Sequence, residues 1–546
     1  MSKHDIFRRP IPPAAERIRQ IEAEPLPCNI NALLEEARAH VPDQLAWNFF
    51  ESNEVATYND LAARVNRMAN GFTSIGLGRG KHVGIMLPNI AAMPTSWLAL
   101  ARMGAVMVPI NTRYTSRELG YVLDDSEADG LVIHESFLPV LGGIRRQLPR
   151  LEGRIVVVGE DNHGCIRWHD LLEKSSDRFS PEAEPELDDL VNIQFTSGTT
   201  GLPKGCLLTH RYWLICAKVH ARGDFLTFKR LLSATPFFYM TPQWLLLAAF
   251  YQRGTLYVAA QPSASRFMNW VRVNRINYCL FPEAIYRQPP SPLDGHNELT
   301  RVNIYGHNHE NHADMERRFD FKAREGFGMT EIGAGLFMPV EADDMVGSGS
   351  MGIPTAFRQC RIADEHGRTL SPGEIGELLV RGPGMFDGYY RKPEATAAAF
   401  HGDWFRTGDL ARQDERGYFY FIGRMKDMIR RSGENIAARE VEQVLDGIPG
   451  VAESAAVPVA DRERGEEVKA YIVLKKGVTQ DDLPPERIIE HCAKDLAAFK
   501  VPRFLEYRKI PLPRNPAGTK ILKPELLKEK PDLRAGSWDR LKGRWL

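Results

Sequence analysis

The densest run of chemistry-bearing residues in the chain is Phe195-Thr196-Ser197-Gly198-Thr199-Thr200-Gly201-Leu202-Pro203-Lys204-Gly205. Its glycines permit φ > 0 and let the backbone approach a ligand closely. Four hydroxyls, several free backbone N–H groups and the point charge of Lys204 can surround an anion. That donor set suits a nucleotide polyphosphate. The spacing is not that of the G-x-x-x-x-G-K-[ST] loop. Lys204 is followed by Gly205, so no hydroxyl comes after the lysine to hold Mg²⁺. The apolar run 191–195 predicts a buried strand leading straight into the loop.

Four later segments add chemistry. Gly326-Phe327-Gly328-Met329-Thr330-Glu331 sets a carboxylate beside a hydroxyl, which suits a Mg²⁺–phosphate site because Mg²⁺ commonly takes one or two carboxylates plus phosphate oxygens. Asp403-Trp404-Phe405-Arg406-Thr407-Gly408-Asp409 ends in an ionised Asp. Such a group is an acceptor with two oxygens, matched to two vicinal ribose hydroxyls. Gly423-Arg424-Met425-Lys426-Asp427-Met428-Ile429 runs into Arg430-Arg431-Ser432-Gly433-Glu434-Asn435-Ile436. Near the end stands Arg514-Asn515-Pro516-Ala517-Gly518-Thr519-Lys520-Ile521.

In this order the segments resemble those of the adenylate-forming superfamily, which includes acyl-CoA synthetases, aryl-CoA ligases, luciferases and peptide-synthetase adenylation domains. The resemblance runs from Tyr58 to about Leu526. It implies that Thr196, Ser197, Gly198, Thr199, Thr200, Gly201 and Lys204 bind the ATP phosphates. Gly306, Phe327 and Gly328 border the nucleotide, with Phe327 on adenine where Tyr is common. Thr330 touches the α-phosphate, Glu331 holds Mg²⁺, Asp409 takes the ribose and Arg424 lies near ribose or phosphate. Lys426 occupies the hinge position. Arg431, Ser432, Gly433 and Glu434 meet coenzyme A in the thioester-forming state. Lys520 matches the terminal catalytic lysine, although Gly-Thr-Lys-Ile replaces the usual Gly-Lys-Ile; Ile521 fixes the match, and Lys523 is the second candidate.

The implied activity is ATP-dependent ligation of a small carboxylic acid to CoA through an acyl-adenylate, with AMP and pyrophosphate released. ATP, Mg²⁺ and CoA are the implied cofactors and co-substrate. The catalytic set is Lys520, Thr330, Glu331 and Lys204. Residues 236–244 resemble the segment lining the acyl pocket, with Tyr239, Gln243 and Trp244 as lining candidates. Bulky Tyr239 and Trp244 favour a short or polar acid, or else are core aromatics. Residues 499–514 and 428–436 look most like the crotonobetaine/carnitine-CoA ligase branch, close to bacterial fatty-acyl-CoA synthetases. The family's small turn is replaced by Gly306-His307-Asn308-His309-Glu310-Asn311-His312. Its imidazoles could ligate a metal, flank the nucleotide or cap the next helix. Two other readings are an enzyme loading a carrier protein and a non-catalytic nucleotide-binding protein on the same fold. No carrier domain with its Ser is read in the chain, which favours free CoA over the first. The second would need Lys204, Glu331, Asp409 and Lys520 to be lost, and all four are present.

These segments need elements to position them. Thr57 and Asp60 read as a helix N-cap, and Leu61, Val65, Met68 and Phe72 share one helical face. Apolar runs at 82–87, 104–110, 130–134, 154–159, 190–195, 255–259 and 302–305 alternate with helical stretches, including 94–102. That pattern predicts parallel sheets covered by helices. Short strands at 361–364, 376–381 and 417–422 predict a small barrel or antiparallel sheet. Beyond 427 a helix at 438–445, strands at 455–459 and 468–474, and a helix at 485–498 predict an α+β unit. The expected fold is therefore α/β: a large N-terminal domain, 1–425, of helix-covered sheets with a small barrel-like subdomain, and a small mobile α+β C-terminal domain, 426–546, after hinge Lys426.

The 70 basic residues balance the 70 acidic ones. A neutral chain argues against nucleic-acid binding through phosphate contacts. Seven cysteines without a C-x-x-C pair argue against a disulfide framework or zinc ribbon and for a reducing compartment. No apolar run approaches a membrane span and the first residues lack a signal-peptide pattern, so a cytoplasmic protein without integral membrane association is expected. Homo-oligomerisation is left open.

Overall fold

Thr57 accepts a hydrogen bond from the Asp60 N–H, and the Asp60 carboxylate accepts one from the Thr57 N–H at 3.0 Å. This reciprocal cap, worth about 1 kcal/mol, starts the helix Tyr58–Ser74, whose buried face carries Leu61, Val65, Met68 and Phe72 as the 3.6-residue period requires. The computed structural model describes residues 11–196, 203–431, 434–514 and 521–546. The chain forms two units, Met1–Cys360 with Val380–Phe405, and Arg361–Leu379 with Arg406–Leu546.

Two sheets organise the first unit. One runs in the order Ile166–Arg167, Ile155–Val158, Gly130–His134, His82–Met86, Val106–Pro109, Leu190–Thr196, Lys204–Thr209. Its neighbours are parallel except the final pair, an antiparallel hairpin. The other contains Leu45–Phe49, Thr255–Val258, Arg230–Ser233, Tyr278–Leu280, Arg301–Ile304 and Lys322–Met329 as parallel neighbours. It continues antiparallel into Gly333–Phe337 and Ser350–Pro354. Every residue of Val106–Pro109, Ile155–Val158, Thr255–Val258 and Arg301–Ile304 is buried, as strands covered on both faces must be. The two strongest motifs leave carboxyl ends of strands, where open α/β sheets place their ligands.

In the second unit, Phe419–Arg424 pairs antiparallel with Trp404–Gln413, and Ile375–Arg381 and Gln359–Ala363 follow in sheet order. The C-terminal sheet runs Glu434–Ala437, Met428–Arg431, Gly465–Leu474, Phe504–Arg508, Trp538–Asp539, Arg544–Trp545, with Val451–Asp461 pairing Gly465–Leu474. The helix expected over 485–498 stops at Asp495. Leu496 is extended there and buried in this unit's core, which also holds the side chain of Phe499. The compact units do not divide at 425/426: residues 361–379 and 406–425 group with the C-terminal part of the chain.

Candidate active site

The last register pair of the hairpin Leu190–Thr196/Lys204–Thr209 is Thr196 opposite Lys204. Both therefore stand at the mouth of the Gly-Ser-Thr loop, with Lys204 the first residue of its strand. Tyr121 donates to the carbonyl of Pro203 at 2.9 Å and pins the loop's exit.

The second motif is a hairpin tip. Met329 pairs with Gly333, so Thr330, Glu331 and Ile332 form a three-residue turn, and Gly333 supplies the left-handed conformation (φ +67°) such a turn needs. Arg358, a buried guanidinium, donates to the carbonyls of Ile332, Phe357, Pro383 and Gly384. Tyr212 donates to the carbonyl of Thr330 at 2.9 Å. Glu331 is only 8% exposed. Its Oε1 accepts the phenol hydrogen of Tyr389 at 2.9 Å, and the ring face of the same Tyr389 lies 4.0 Å from Lys204 Nζ. One tyrosine thus joins the carboxylate of one motif to the cation of the other. A buried carboxylate beside the Thr330 hydroxyl is a donor set that fits Mg²⁺ completed by phosphate oxygens.

On the nucleotide side, Gly306 donates to Glu325 Oε1 at 2.6 Å. Burial of that carboxyl group pushes its pKa up to about 7. Phe327 is half-buried and Gly328 exposed. Gly326 has no room for a side chain: a Cβ would lie 2.6 Å from the Phe337 ring. The histidines of 307–312 do not converge on a metal. His312 is buried, with Nε2 3.0 Å from the Ala323 carbonyl and Nδ1 accepting from Gly347. Burial pulls His307 down to about 4. Among the described residues no group of three or more His, Cys, Asp or Glu could hold a metal ion. The cap in this segment is Asn308, which accepts from the Glu310 N–H, and not a histidine.

Of the acyl-pocket candidates, Tyr239 is half-buried. Gln243 is wholly buried; its Nε2 donates to the carbonyls of Phe237 and Tyr239, and its Oε1 accepts from Asn192. Its amide hydrogens therefore shape the 236–239 turn. Trp244 lies stacked on His220, ring centroids 3.6 Å apart and planes 16° apart, and His220 meets Phe337 edge-on. Burial keeps His220 neutral, with a pKa near 3. Its Nδ1 reaches the Cys216 carbonyl and its Nε2 the Tyr305 hydroxyl. His220 and Phe337 also line a cavity of about 40 Å³, together with Arg17 and Arg301.

In the second unit, Asp409 is 3% exposed and paired across the strands with Arg424, Nε to Oδ1 3.4 Å. Thr407 receives the Asp409 N–H and donates to Leu378, while Glu377 holds both Arg406 and the Gly408 N–H. Lys426 sits in the turn Met425–Asp427. Arg431 is buried against Glu467 at 2.6 Å, a position held within its own unit; Arg430 is the exposed member of the pair. Glu434 opens the strand Glu434–Ala437. Lys523, the second candidate for the terminal lysine, is bound to the buried Glu442 at 2.7 Å. Arg514 and Ile521 bridge antiparallel and so flank the Lys520 segment. Ser197, Gly198, Thr199, Thr200, Gly201, Ser432, Gly433 and Lys520 lie outside the described residues.

Sequence reasoning missed Tyr389, Tyr212 and Arg358. Gly388-Tyr389-Tyr390 could have drawn notice only as a glycine before two aromatics.

Comparison with known proteins gives the family. Residues 34–390 match the family described as AMP-binding enzyme, and residues 440–518 match the AMP-binding enzyme C-terminal domain. The chain belongs to the AMP-binding enzyme family. It is 33% identical over 491 residues to the crotonobetaine/carnitine–CoA ligase of Salmonella agona, covering 86% of this chain and 92% of the relative. Identity is also 33% over 500 residues with the ligase of the same name from Citrobacter koseri, covering 87% and 95%. Among solved structures, ATP-bound MatB from Rhodopseudomonas palustris superposes with a TM-score of 0.82 at 27% identity, covering 91% of this chain and 98% of that one. The anthranilate CoA ligase AuaEII with anthranoyl-AMP gives 0.84 at 25% identity, covering 93% and 98%. Within the family the chain is an AMP-forming acyl-CoA synthetase, an acid–thiol ligase.

Proposed function

We propose that the enzyme works in two steps on a short or compact carboxylic acid. In the first, the substrate carboxylate attacks the α-phosphorus of ATP and pyrophosphate leaves. Charge accumulates on phosphoryl oxygens, so catalysis is chiefly positioning and electrostatics. Lys204 and the hydroxyls of the 196–201 loop take the phosphates, Thr330 the α-phosphate, Phe327 and Gly306 the base, and Asp409 with Arg424 the ribose. Mg²⁺, held by Glu331, would neutralise phosphate charge. Lys520 supplies the further cation. In the second step the thiol of CoA attacks the acyl carbonyl and AMP departs. Rotation about Lys426 exchanges Lys520 for the Ser432–Gly433–Glu434 face. CoA phosphates then meet Arg430, since Arg431 is already engaged by Glu467.

The observation that carries the reading is the buried Glu331 carboxylate held within one side chain of the Lys204 ammonium. A short acid is supported by the bulk of the stacked aromatic group Trp244, His220 and Phe337. Seven cysteines, none in a disulfide, support the cytoplasm. No helix among the described residues is long and apolar enough to cross a membrane. The test is pyrophosphate release, with ATP and CoA present, over acids graded in length and polarity. Short or compact acids are expected to lead. A maximum at long-chain fatty acids would contradict the acyl assignment, and acid-dependent release yielding thioester only on a carrier protein would contradict CoA.

A further inference from the structure

Residues 386–390 stitch the two phosphate-side motifs together. Leu207 donates to the Gly388 carbonyl, Asp387 to Leu207, Tyr390 to Gly205, and Cys206 bridges Tyr389 antiparallel, so this segment runs along the strand that leaves the phosphate loop. One residue earlier, Phe386 donates to the carbonyl of Glu331. Tyr389 is therefore held at both ends, its own N–H donating to Thr396 Oγ1 at 2.9 Å. Its ring is 7% exposed and packed on Phe386. From that seat the hydroxyl reaches Glu331 Oε1 and the ring face meets Lys204 Nζ.

We infer that Tyr389 is a positioning residue that sets the metal-binding carboxylate and the phosphate-binding ammonium in one fixed relation. A carboxylate with two equivalent oxygens can rotate. Donation to Oε1 fixes the plane and leaves Oε2 for a cation. An ammonium on a flexible four-carbon stem gains a preferred seat on an electron-rich ring face. Groups that orient a metal ligand commonly carry tenfold to a hundredfold in metal affinity. This inference rests on the Mg²⁺ role proposed for Glu331 and assigns a function to a residue outside both motifs.

The test is Mn²⁺ binding to the full-length protein with a non-hydrolysable ATP analogue, followed by electron paramagnetic resonance without any acid substrate. Tyr389→Phe keeps the ring and loses the hydroxyl. It is expected to weaken Mn²⁺ binding about tenfold with a Tm close to wild type. Tyr389→Leu, which loses the ring as well, is expected to weaken metal-free nucleotide binding too. In the Glu331→Gln background, Tyr389→Phe is expected to add nothing. Unchanged Mn²⁺ affinity in Tyr389→Phe, an additive loss in the double variant, or a large fall in Tm accounting for the whole effect would each overturn the inference. If wild type itself binds no Mn²⁺ with nucleotide, the Glu331 reading fails with it; if wild type binds and Tyr389→Phe binds equally, only the role of Tyr389 falls.

Discussion

Glu331 and Tyr389 are 58 residues apart in sequence and 2.9 Å apart at their side-chain oxygens. That contrast separates what can be read from residue order from what cannot. Glu331 and Lys204 are legible because each sits in a dense local motif whose residue types already suggest metal and phosphate. Tyr389 is not, because its partners come from two other segments and nothing beside it in the chain does chemistry. The same holds for Arg431, which resemblance assigned to coenzyme A and whose partner Glu467 lies in another strand. The site as proposed makes a sharp demand on Glu331. Glu331→Gln keeps the shape and the Tyr389 contact but removes the charge, and is expected to lower kcat/KM for MgATP by roughly a hundredfold, the scale for removing a preorganised charge from a phosphoryl-transfer site. Steady-state kinetics at varied Mg²⁺ would check this. A change under threefold would remove Glu331 from the metal.

In the first unit the apolar runs at 82–87, 104–110, 130–134, 154–159, 190–195, 255–259 and 302–305 each hold a strand, while strands such as Leu45–Phe49, Arg230–Ser233, Tyr278–Leu280 and Lys322–Met329 were not read from the sequence. Element ends were less legible. Leu496 could continue a helix on propensity, yet leaves it to seat itself and Phe499 in the core of its unit. The 306–312 segment, whose three imidazoles left a metal, the nucleotide and a helix cap open, fixes a turn through Asn308 and packs His312. Two predictions belong to elements. Trp244→Ala removes one half of the stack on His220, which the proposed reading sets against the acyl group. It is expected to shift the preferred acid toward longer chains by two or more carbons in the pyrophosphate-release screen, with adenylation of the best short acid reduced. An unchanged length preference would place Trp244 in the core alone. The strand residue Glu325 gives a pH test. Its carboxyl group has a pKa of about 7 in place of 4.5, so the native state binds more protons than the unfolded state between those values. Stability then falls as pH rises through that window. Glu325→Gln removes the titration. The variant is expected to gain on wild type in Tm from pH 4.5 to 7 and keep the gain at pH 8, with the difference smallest at pH 4. Parallel Tm–pH curves would contradict this.

At the scale of the whole chain, the order of motifs conveyed the fold class and the two-part organisation, because the family's segments occur in sequence from Tyr58 onward. The division into units was not legible. The motif at Lys426 marks a proposed pivot, whereas compactness groups residues 361–379 and 406–425 with the C-terminal part. A pivot inside a unit is a kinetic property and the grouping is a packing property, so the two need not coincide. If successive faces of the C-terminal part serve the two half-reactions, they should fail separately. Gly433→Leu is expected to cut thioester formation at least tenfold while leaving acid-dependent pyrophosphate exchange within about threefold, a split that positioning alone can produce. The opposite ranking would take Gly433 away from CoA.

The most direct measurement is the pair of half-reactions in Lys520→Ala. Lys523, the other candidate, is paired with Glu442. Acid-dependent pyrophosphate release should fall by roughly a hundredfold or more, while AMP release from supplied acyl-adenylate and CoA stays within about threefold of wild type. Equal loss in both half-reactions, or adenylation that survives the substitution, would contradict the account.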